Sequence, residues 1–385
     1  MTTYTHVANK ESDYLCALNP RIMKCGIVGL PNVGKSTLFN CLSSAKAQAA
    51  NYPFCTIEPN VGQVTVPDVR LERLSELVNP ERVQPANVEI VDIAGLVRGA
   101  SKGEGLGNQF LGNIRETNAI IHVLRCFEND NVTHVDGSVN PIRDKETIDT
   151  ELQLKDLETI EKRLEKAKKM SKSGQKDAKL NVESLERLVK YVEEGRNVRG
   201  FERNDRETLL LKEMQLLTDK PVLYLCNVDE SSAKTGNAHV EAVQAMATEE
   251  GAGCIHIAVS TESDIAELET YEEKQMFLEE LGLEDAGVNR VIRAAYELLN
   301  LQTYFTAGVK EVRAWTIKKG MTAPQAAGVI HSDFEKGFIR AEVISYSDYD
   351  QLGSESAVKE AGKMRVEGKE YIVHDGDVMH FRFNV

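Results

Sequence analysis

Residues 29–37 read GLPNVGKST, and this stretch decides the fold of the chain around it. It matches the pattern G-x-x-x-x-G-K-[ST], with an apolar run at residues 24–28 before it and a helix-like run at residues 37–43 after it. A strand, a glycine turn and a helix N-terminus in this order aim backbone N–H groups and the positive end of the helix dipole at one point. The stretch therefore predicts a loop that binds the phosphates of a nucleoside triphosphate.

The side chains of this loop have separate expected roles. Lys35 is expected to reach the β- and γ-phosphates, and the Ser36 hydroxyl is expected to ligate Mg²⁺. The residues that we predict to bind the nucleotide here are Asn32, Val33, Gly34, Lys35, Ser36 and Thr37.

Composition limits the other possibilities. A chain of 385 residues is long enough for two or three domains, and a formal net charge of −14 argues against nucleic-acid binding by the whole surface. Seven cysteines without C-x-x-C spacing are typical of buried thiols in a reducing cytosol, so we expect a cytoplasmic protein. No stretch reaches the roughly 18 to 20 apolar residues of a membrane span. Residues 1–22 are polar and aperiodic, and we expect a tail outside the fold.

Short apolar runs recur after residue 24, with helical or glycine-rich stretches between them, at residues 24–29, 62–67, 88–93, 119–124, 221–227 and 254–259. This alternation predicts an α/β fold with a mostly parallel sheet covered by helices. Nucleotide-binding loops should then cluster at the carboxyl ends of the strands.

Two further segments are predicted to complete the phosphate and metal site. Thr56, in the loop NYPFCTIEPN at residues 51–60, is our choice for a second hydroxyl ligand of Mg²⁺. Asp92 begins a D-x-x-G pattern after an apolar strand, so its carboxylate is expected to hold Mg²⁺ through water and the Gly95 N–H to contact the γ-phosphate. The next residues, 95–107, contain five glycines, which suits a segment that the γ-phosphate orders and hydrolysis releases.

The residue after D-x-x-G is Leu96, where many switch GTPases place a glutamine that orients water. An apolar side chain cannot do this, so the sequence directs attention to two histidines. His122 lies within a predicted strand, where we expect a hydrogen-bonded sheet histidine. His134 follows in a polar loop, where approach to the γ-phosphate and a plain surface position are both open.

Residues 148–217 interrupt the α/β alternation with apolar residues at helical spacing, which predicts an inserted antiparallel helical hairpin. Near its turn, between Lys162 and Lys179, eight basic residues face only Glu165 and Asp177. This local charge reversal favours contact with a phosphate backbone, although a solvated coiled-coil face would have the same composition.

The base should be recognised at residues 227–230, which read NVDE. A guanine-specific site has N-K-x-D, and this chain has Val228 in place of the lysine and Glu230 in place of the aspartate. With Asn227, these residues predict a preference for adenine or tolerance of both bases. The segment at residues 260–262 is expected to be a loop at the end of a strand and to pack beside the base.

Residues 302–385 predict strands, a turn, a helix and further strands, typical of a small β-grasp domain without a catalytic constellation.

Taken together, these motifs resemble the YchF family of Obg-like P-loop ATPases. The resemblance rests on residues 29–37, 51–60, 92–97, 103–108 and 376–378, and it covers nearly all of the chain from residue 23. It implies a Ras-like nucleotide domain with an inserted coiled coil and a C-terminal TGS domain of ubiquitin-like fold. It also implies ATP hydrolysis, with GTP often tolerated, and association with ribosomes.

The resemblance further implies that the loop histidine matching His134 assists hydrolysis, which favours His134 over His122. The asparagine of the P-loop, here Asn32, implies stimulation by K⁺. We accordingly expect an N-terminal extension at residues 1–22, a nucleotide domain at residues 23–147 and 218–301, the insertion at residues 148–217 and the TGS domain at residues 302–385.

Our main hypothesis is a monomeric, Mg²⁺-dependent ATPase that binds the ribosome, expected at the large subunit, through the basic hairpin and the TGS domain. Lys35, Gly95 and His134 would act on the γ-phosphate and the attacking water. One alternative is a nucleotide-sensing regulatory protein in which hydrolysis is incidental. Another is a translational GTPase, which selectivity for GTP over ATP would reveal.

Overall fold

The computed structural model describes residues 23–48, 61–93, 106–135, 137–172 and 176–384. The chain divides into two compact units. The large unit comprises Lys24–Gln63 and Glu89–Leu298, and the small unit comprises Val64–Val88 and Leu299–Val385. Residues 1–22, Thr56 and Gly95 lie outside the described residues, so the expectations placed on them stay predictions.

Twelve strands form two sheets within the described part of the chain. The strands are β1 (Lys24–Val28), β2 (Val61–Thr65), β3 (Val83–Gln84), β4 (Asn87–Asp92), β5 (Ala119–Arg125), β6 (Val222–Asn227), β7 (Gly253–Ile257), β8 (Leu301–Ala307), β9 (Val312–Lys318), β10 (Phe338–Ser345), β11 (Arg365–Glu367) and β12 (Asp377–Phe383).

Fourteen α-helices are found in the same ranges. They are α1 (Lys35–Gln48), α2 (Val69–Val78), α3 (Leu106–Glu116), α4 (Pro141–Ser171), α5 (Lys176–Glu193), α6 (Asp205–Met214), α7 (Ala238–Glu249), α8 (Val259–Glu267), α9 (Tyr271–Glu280), α10 (Gly287–Leu298), α11 (Ala323–Ile330), α12 (Ser332–Lys336), α13 (Tyr346–Leu352) and α14 (Glu355–Glu360).

The first sheet has the order β2-β4-β1-β5-β6-β7 among the described strands. β1 pairs in parallel with β4 and β5, and β6 pairs in parallel with β5 and β7. β5 and β6 are buried along their whole length, which explains why both were continuous apolar runs in the sequence. The register aligns Ile27 with Asp92, so the loop after β1 and the end of β4 share one edge of the sheet. The predicted parallel α/β sheet is confirmed.

The predicted helical hairpin is formed by α4 and α5, but it begins at Pro141 rather than at residue 148. Asn140 caps the helix through a hydrogen bond from the Arg143 N–H, and proline at the first position suits a helix start. The buried face of the first turns carries charged groups, Asp144, Lys145 and Asp149, so an apolar spacing could not reveal it. Farther along, α4 and α5 share an apolar core that contains Ile160 and Leu188.

The small unit has a second sheet with the described order β11-β10-β12-β8-β9-β3. β8 and β9 form an antiparallel pair, β12 runs parallel to β8, and β10 pairs antiparallel with β12. The helix α11 packs on one face against a core that includes Tyr304, Val343 and Phe381. This arrangement agrees with the predicted β-grasp domain.

The boundary of the small unit differs from our prediction in one respect. Residues 64–88 were assigned to the nucleotide domain, but they cluster with the C-terminal residues. β3 pairs with β9 through Val83 and Val312, and in α2 the Arg70 guanidinium lies 5.3 Å from the centre of the Phe305 ring. Pairing with strands more than 200 positions away leaves no local sign in the sequence.

Cysteine burial is also largely as expected. Cys25, Cys41, Cys126 and Cys226 are buried thiols, whereas Cys254 is half-buried. Across the described residues, no helix combines the length and the apolar character that a membrane crossing requires.

Candidate nucleotide site

The predicted phosphate loop connects β1 to α1 and depends on two glycines for its shape. Gly34 has φ +98°, and a Cβ added there would lie 2.5 Å from the Asn227 Nδ2 atom. A Cβ on Gly29 would lie 2.6 Å from the Val123 carbonyl oxygen. Because a side chain at either position would collide with its neighbour, the loop requires glycine at both.

Lys35 is buried at the start of α1, with only 7% of its surface exposed. Its ammonium donates a hydrogen bond of 2.7 Å to the Leu30 carbonyl oxygen within the loop itself. Burial lowers the pKa of Lys35 to about 8, although the negative charge of Asp92 opposes this change. The loop therefore holds a poorly solvated cation that an anionic ligand would stabilise.

Ser36 and Asp92, both predicted as metal ligands, lie together. The Ser36 hydroxyl donates a hydrogen bond of 3.0 Å to Asp92 Oδ2. The other carboxylate oxygen, Oδ1, is buried and has no hydrogen-bond partner among the described residues. A hydroxyl beside an unpartnered carboxylate oxygen is a donor set that suits a hard divalent cation.

Asn227, which we predicted to read the base, is buried, and both polar atoms of its side chain form hydrogen bonds with the protein backbone. Its Nδ2 donates a hydrogen bond of 3.0 Å to the Val33 carbonyl oxygen, and its Oδ1 accepts one of 3.0 Å from the Val259 N–H. The side chain thus joins the phosphate loop to the ends of β6 and β7. Among the remaining loop residues, Thr37 is exposed on α1.

The neighbours of Asn227 differ in exposure. Val228 is buried, and its N–H donates to the Ile257 carbonyl oxygen, whereas Glu230 is exposed at the start of a short 3₁₀ helix. Asp229 accepts hydrogen bonds from Ser231 and Ser232, and the Ser231 hydroxyl is the main reason that the pKa of Asp229 is lowered. Of the predicted base-reading residues, Glu230 alone therefore presents an exposed side chain.

The segment expected beside the base, residues 260–262, is part of a helix. It lies in α8 rather than in a loop, and Glu262 is buried. The Glu262 carboxylate accepts hydrogen bonds from the Gly287 and Val288 N–H groups at the start of α10, at 2.7 and 3.1 Å. Burial raises the pKa of Glu262. A helix N-terminus thus occupies both oxygens of this carboxylate, and packing of the segment beside the base stays a prediction.

His122 is buried in β5, as predicted, and its ring centre lies 5.7 Å from that of Tyr224. Its Nε2 atom, however, has no hydrogen-bond partner among the described residues, so our expectation of a satisfied histidine was wrong at this atom. Burial lowers the pKa of His122 to about 4. The ring is therefore neutral at physiological pH.

His134 lies in the loop after β5, next to the phosphate loop. The Asn32 side chain donates a hydrogen bond of 3.2 Å to the carbonyl oxygen of Thr133, the preceding residue. The His134 Nε2 atom lies 2.8 Å from Asp144 Oδ2, and 7% and 2% of the two side chains are exposed. Our sequence reasoning missed Asp144. The pair Asn140-Pro141 could have predicted a helix start there, with Asp144 in its first turn.

The basic residues between Lys162 and Lys179, near the turn of the hairpin, differ in whether they form ion pairs. Lys162 pairs with Glu158, Arg163 with Glu213 and Lys168 with Glu186. The exposed cations that have no ion pair within the described residues are Lys166, Lys169, Lys172 and Lys179.

Two relatives with the same name match nearly the whole of this chain. A protein named "Ribosome-binding ATPase YchF" from Haemophilus ducreyi is 59% identical over 94% of this chain and 99% of its own length. A protein of the same name from Bacillus subtilis is 56% identical over 94% of this chain and 100% of its own length.

This chain belongs to the YchF family.

Family models and a solved structure agree with this assignment. Residues 24–169 match a family described as "50S ribosome-binding GTPase". Residues 301–384 match the family YchF-GTPase_C, described as "Protein of unknown function (DUF933)". The solved structure of the YchF GTPase of Schizosaccharomyces pombe is 39% identical, covers 94% of this chain and 99% of its own, and superposes with a TM-score of 0.85. The YchF fold of a P-loop domain with a C-terminal domain is thereby confirmed.

Proposed function

We propose that this YchF family member is a ribosome-associated hydrolase that converts ATP to ADP and phosphate and accepts GTP less well. The observation that carries the proposal is the pair Ser36–Asp92 beside the buried Lys35, at the edge of the sheet where the phosphate loop ends. The names of the relatives support the activity and the partner, since they describe ribosome-binding ATPases.

The metal of this reaction is proposed to be Mg²⁺. Ser36 and Asp92 would hold it together with Thr56. Asp92 Oδ1, which has no hydrogen-bond partner in the part of the chain that the structure describes, supports this choice of residues. When bound, the ion would neutralise charge on the phosphate oxygens. K⁺ is proposed as a further activator through Asn32, which is exposed in the loop with φ 62°.

The protein's part in hydrolysis is mostly positioning, because phosphoryl transfer requires little covalent chemistry from the enzyme. Lys35 would leave the Leu30 carbonyl oxygen for the phosphates, and the Gly95 N–H would contact the γ-phosphate. His134 would orient the attacking water in place of the glutamine that Leu96 replaces. The link from Asn32 to the loop of His134 supports this role, since it joins that loop to the phosphate site.

Selectivity for the base is proposed to depend on Val228 and Glu230. The Asn227 side chain already uses both of its polar ends within the protein, so it supports the loop rather than choosing the base. Without the aspartate of N-K-x-D, the site lacks the acceptor that pairs with the guanine N1–H and 2-amino groups. The partner surface would be the large ribosomal subunit, which the description of the family matching residues 24–169 supports.

A competition titration of ATP against GTP, with K⁺ and Mg²⁺ present, tests the proposed nucleotide. We expect ATP to displace a fluorescent nucleotide at a lower concentration than GTP, with hydrolysis of both. Glu230→Asp provides the comparison, because it restores the shorter carboxylate of the guanine pattern and should narrow the difference. Preference for GTP in the unaltered protein would favour a translational GTPase instead.

A further inference from the structure

The contact between His134 and Asp144 is held in place by the surrounding structure. Asp144 lies in the first turn of α4, where the Asn140 side chain caps the helix by accepting a hydrogen bond of 3.1 Å from the Arg143 N–H. Its Oδ2 atom is 2.8 Å from His134 Nε2, and its Oδ1 atom accepts a hydrogen bond of 3.2 Å from Arg143 Nη2. Both carboxylate oxygens therefore have an assigned partner, and the helix backbone fixes where they lie.

The loop that carries His134 is held from a second side by Arg125. This buried guanidinium donates to the carbonyl oxygens of Phe127, Asn129 and Val132, at 3.1, 3.2 and 2.9 Å. With the bond from Asn32 to Thr133, the backbone is fixed up to the residue before His134. Asp144 then fixes the ring itself.

The chemistry of the pair determines the state of the imidazole. A carboxylate oxygen can only accept a hydrogen bond, so the Nε2 atom that faces it must carry the hydrogen. In the neutral ring the lone pair then belongs to Nδ1. A histidine that accepts a hydrogen bond from water with Nδ1 needs this tautomer.

We propose that Asp144 is the positioning residue of His134, holding its ring in the Nε2-protonated tautomer so that Nδ1 can accept a hydrogen bond from the attacking water. This inference rests on the proposed role of His134 in hydrolysis. Asp144 is only 1% exposed and would act on the reaction through His134.

Substitution by asparagine separates orientation from charge and size. Arg143 donates to one oxygen of residue 144, so an asparagine would turn its carbonyl oxygen toward Arg143 and its amide nitrogen toward His134. The amide nitrogen donates, which would force the Nε2 atom to accept and move the hydrogen to Nδ1. Asp144→Asn should therefore keep the fold but select the unproductive tautomer.

The test is single-turnover ATP hydrolysis by the full chain at saturating ATP, for His134→Ala, Asp144→Asn and the double variant. Asp144→Asn should slow hydrolysis by about 10- to 100-fold with nucleotide affinity unchanged, as for other residues that orient a reacting group. The double variant should be no slower than His134→Ala. Asp149→Asn is the matched control, because it alters another buried carboxylate on α4 that pairs with Lys145 rather than with His134.

A spectroscopic readout shows whether the effect is orientation. In ¹⁵N-histidine-labelled protein, with the His134→Ala spectrum as the assignment, the His134 signal should report an Nε2–H tautomer in the unaltered chain and an Nδ1–H tautomer in Asp144→Asn. A shift in rate without a change of tautomer would overturn the proposed mechanism.

The kinetic outcomes distinguish this inference from the proposed function. If His134→Ala hydrolyses ATP at the unaltered rate with intact affinity, His134 has no role and the inference fails with it. If His134→Ala is slow but Asp144→Asn is as fast as the unaltered protein, the hydrolase remains and Asp144 has no positioning role. Faster hydrolysis by Asp144→Asn would mean that the contact restrains His134, which also overturns the inference.

Discussion

Lys35 shows how one residue of the site is prepared for its ligand. In the structure its ammonium contacts the Leu30 carbonyl oxygen, and burial lowers its pKa to about 8. A triphosphate would offer a much stronger partner, so the bound state should favour the charged amine and raise the pKa again. Nucleotide binding and protonation of Lys35 are therefore coupled.

This coupling predicts proton uptake on nucleotide binding at alkaline pH. At about pH 9 most Lys35 side chains of the free protein are neutral, so binding must draw a proton, whereas at pH 7 the amine is already charged. Titration calorimetry in two buffers of different ionisation enthalpy measures the number of protons. Affinity should fall as the pH rises through about 8. Equal uptake at both pH values would contradict the assignment.

Single residues were predictable where a local pattern carries the chemistry. The loop residues and Asp92 follow from motifs in the sequence, whereas His134 was favoured only by the family resemblance. Asp144 and Arg125 do not follow from a motif, because their importance depends on which loop each side chain meets after folding. The partners of Glu262 could not be predicted for the same reason, since Gly287 and Val288 lie 25 and 26 positions away.

At the scale of elements, α4 is the first helix of the hairpin and is also held to the rest of the large unit. Asp156 lies near its middle, fully buried, and accepts hydrogen bonds from the Leu217 N–H, the Thr218 N–H and the Thr218 hydroxyl. Burial raises the pKa of Asp156, while these three donors act in the opposite direction. The contact anchors the helix to the segment that leads back into β6.

Removing this anchor should cost stability. In Asp156→Ala the two N–H groups would stay buried without an acceptor, so we expect unfolding in urea to require about 3 kcal/mol less free energy. Asp156→Asn keeps one acceptor and should lose less. Hydrogen exchange at residues 217 and 218 should accelerate in parallel.

Glu161→Ala is the control for this change, because Glu161 is exposed on the same helix. It should alter the free energy of unfolding by less than about 0.5 kcal/mol. Equal losses in Glu161→Ala and Asp156→Ala would mean that the buried contact adds nothing beyond an exposed position of α4, since alanine is the best helix former and neither change should weaken the helix itself.

Elements were predictable where an apolar period reports their buried face. The strands of the first sheet and the apolar part of the hairpin have such a period. The first turns of α4 bury Asp144, Lys145 and Asp149 instead, and a charged buried face looks like a solvent-exposed one in the sequence. The helix start was nevertheless present in the pair Asn140-Pro141.

At the scale of the whole molecule, charge is distributed unevenly. The chain carries a formal net charge of −14, yet the hairpin end exposes Lys166, Lys169 and Lys172 without ion pairs in the described residues. Such a local patch suits a polyanion that the rest of the surface would repel. The division into units was less predictable, because residues 64–88 join the C-terminal residues through pairings that span most of the chain.

Charge reversal tests the patch. Lys166, Lys169 and Lys172 changed together to glutamate should weaken ribosome binding and make its dependence on salt shallower, because fewer counterions are released. The matched control changes Lys190, Lys212 and Lys234, which are exposed lysines away from the hairpin turn, and adds the same negative charge. The affinity for ribosomes is measured by cosedimentation across a salt series. Equal affinity of both variants would mean that the patch is an ordinary solvated surface.

The 31-residue helix α4 has a mechanical consequence. One uninterrupted helix carries the carboxylate beside His134 near one end and the unpaired lysines near the other, roughly 40 Å apart at 1.5 Å per residue. Ties at Lys145, Asp149 and Asp156 secure the half nearer to Asp144. A tilt of one degree about Asp144 displaces the distant end by about 0.7 Å, so a movement of the lysines corresponds to a much smaller rotation beside His134. A partner bound to these lysines would therefore act on the same helix that positions Asp144.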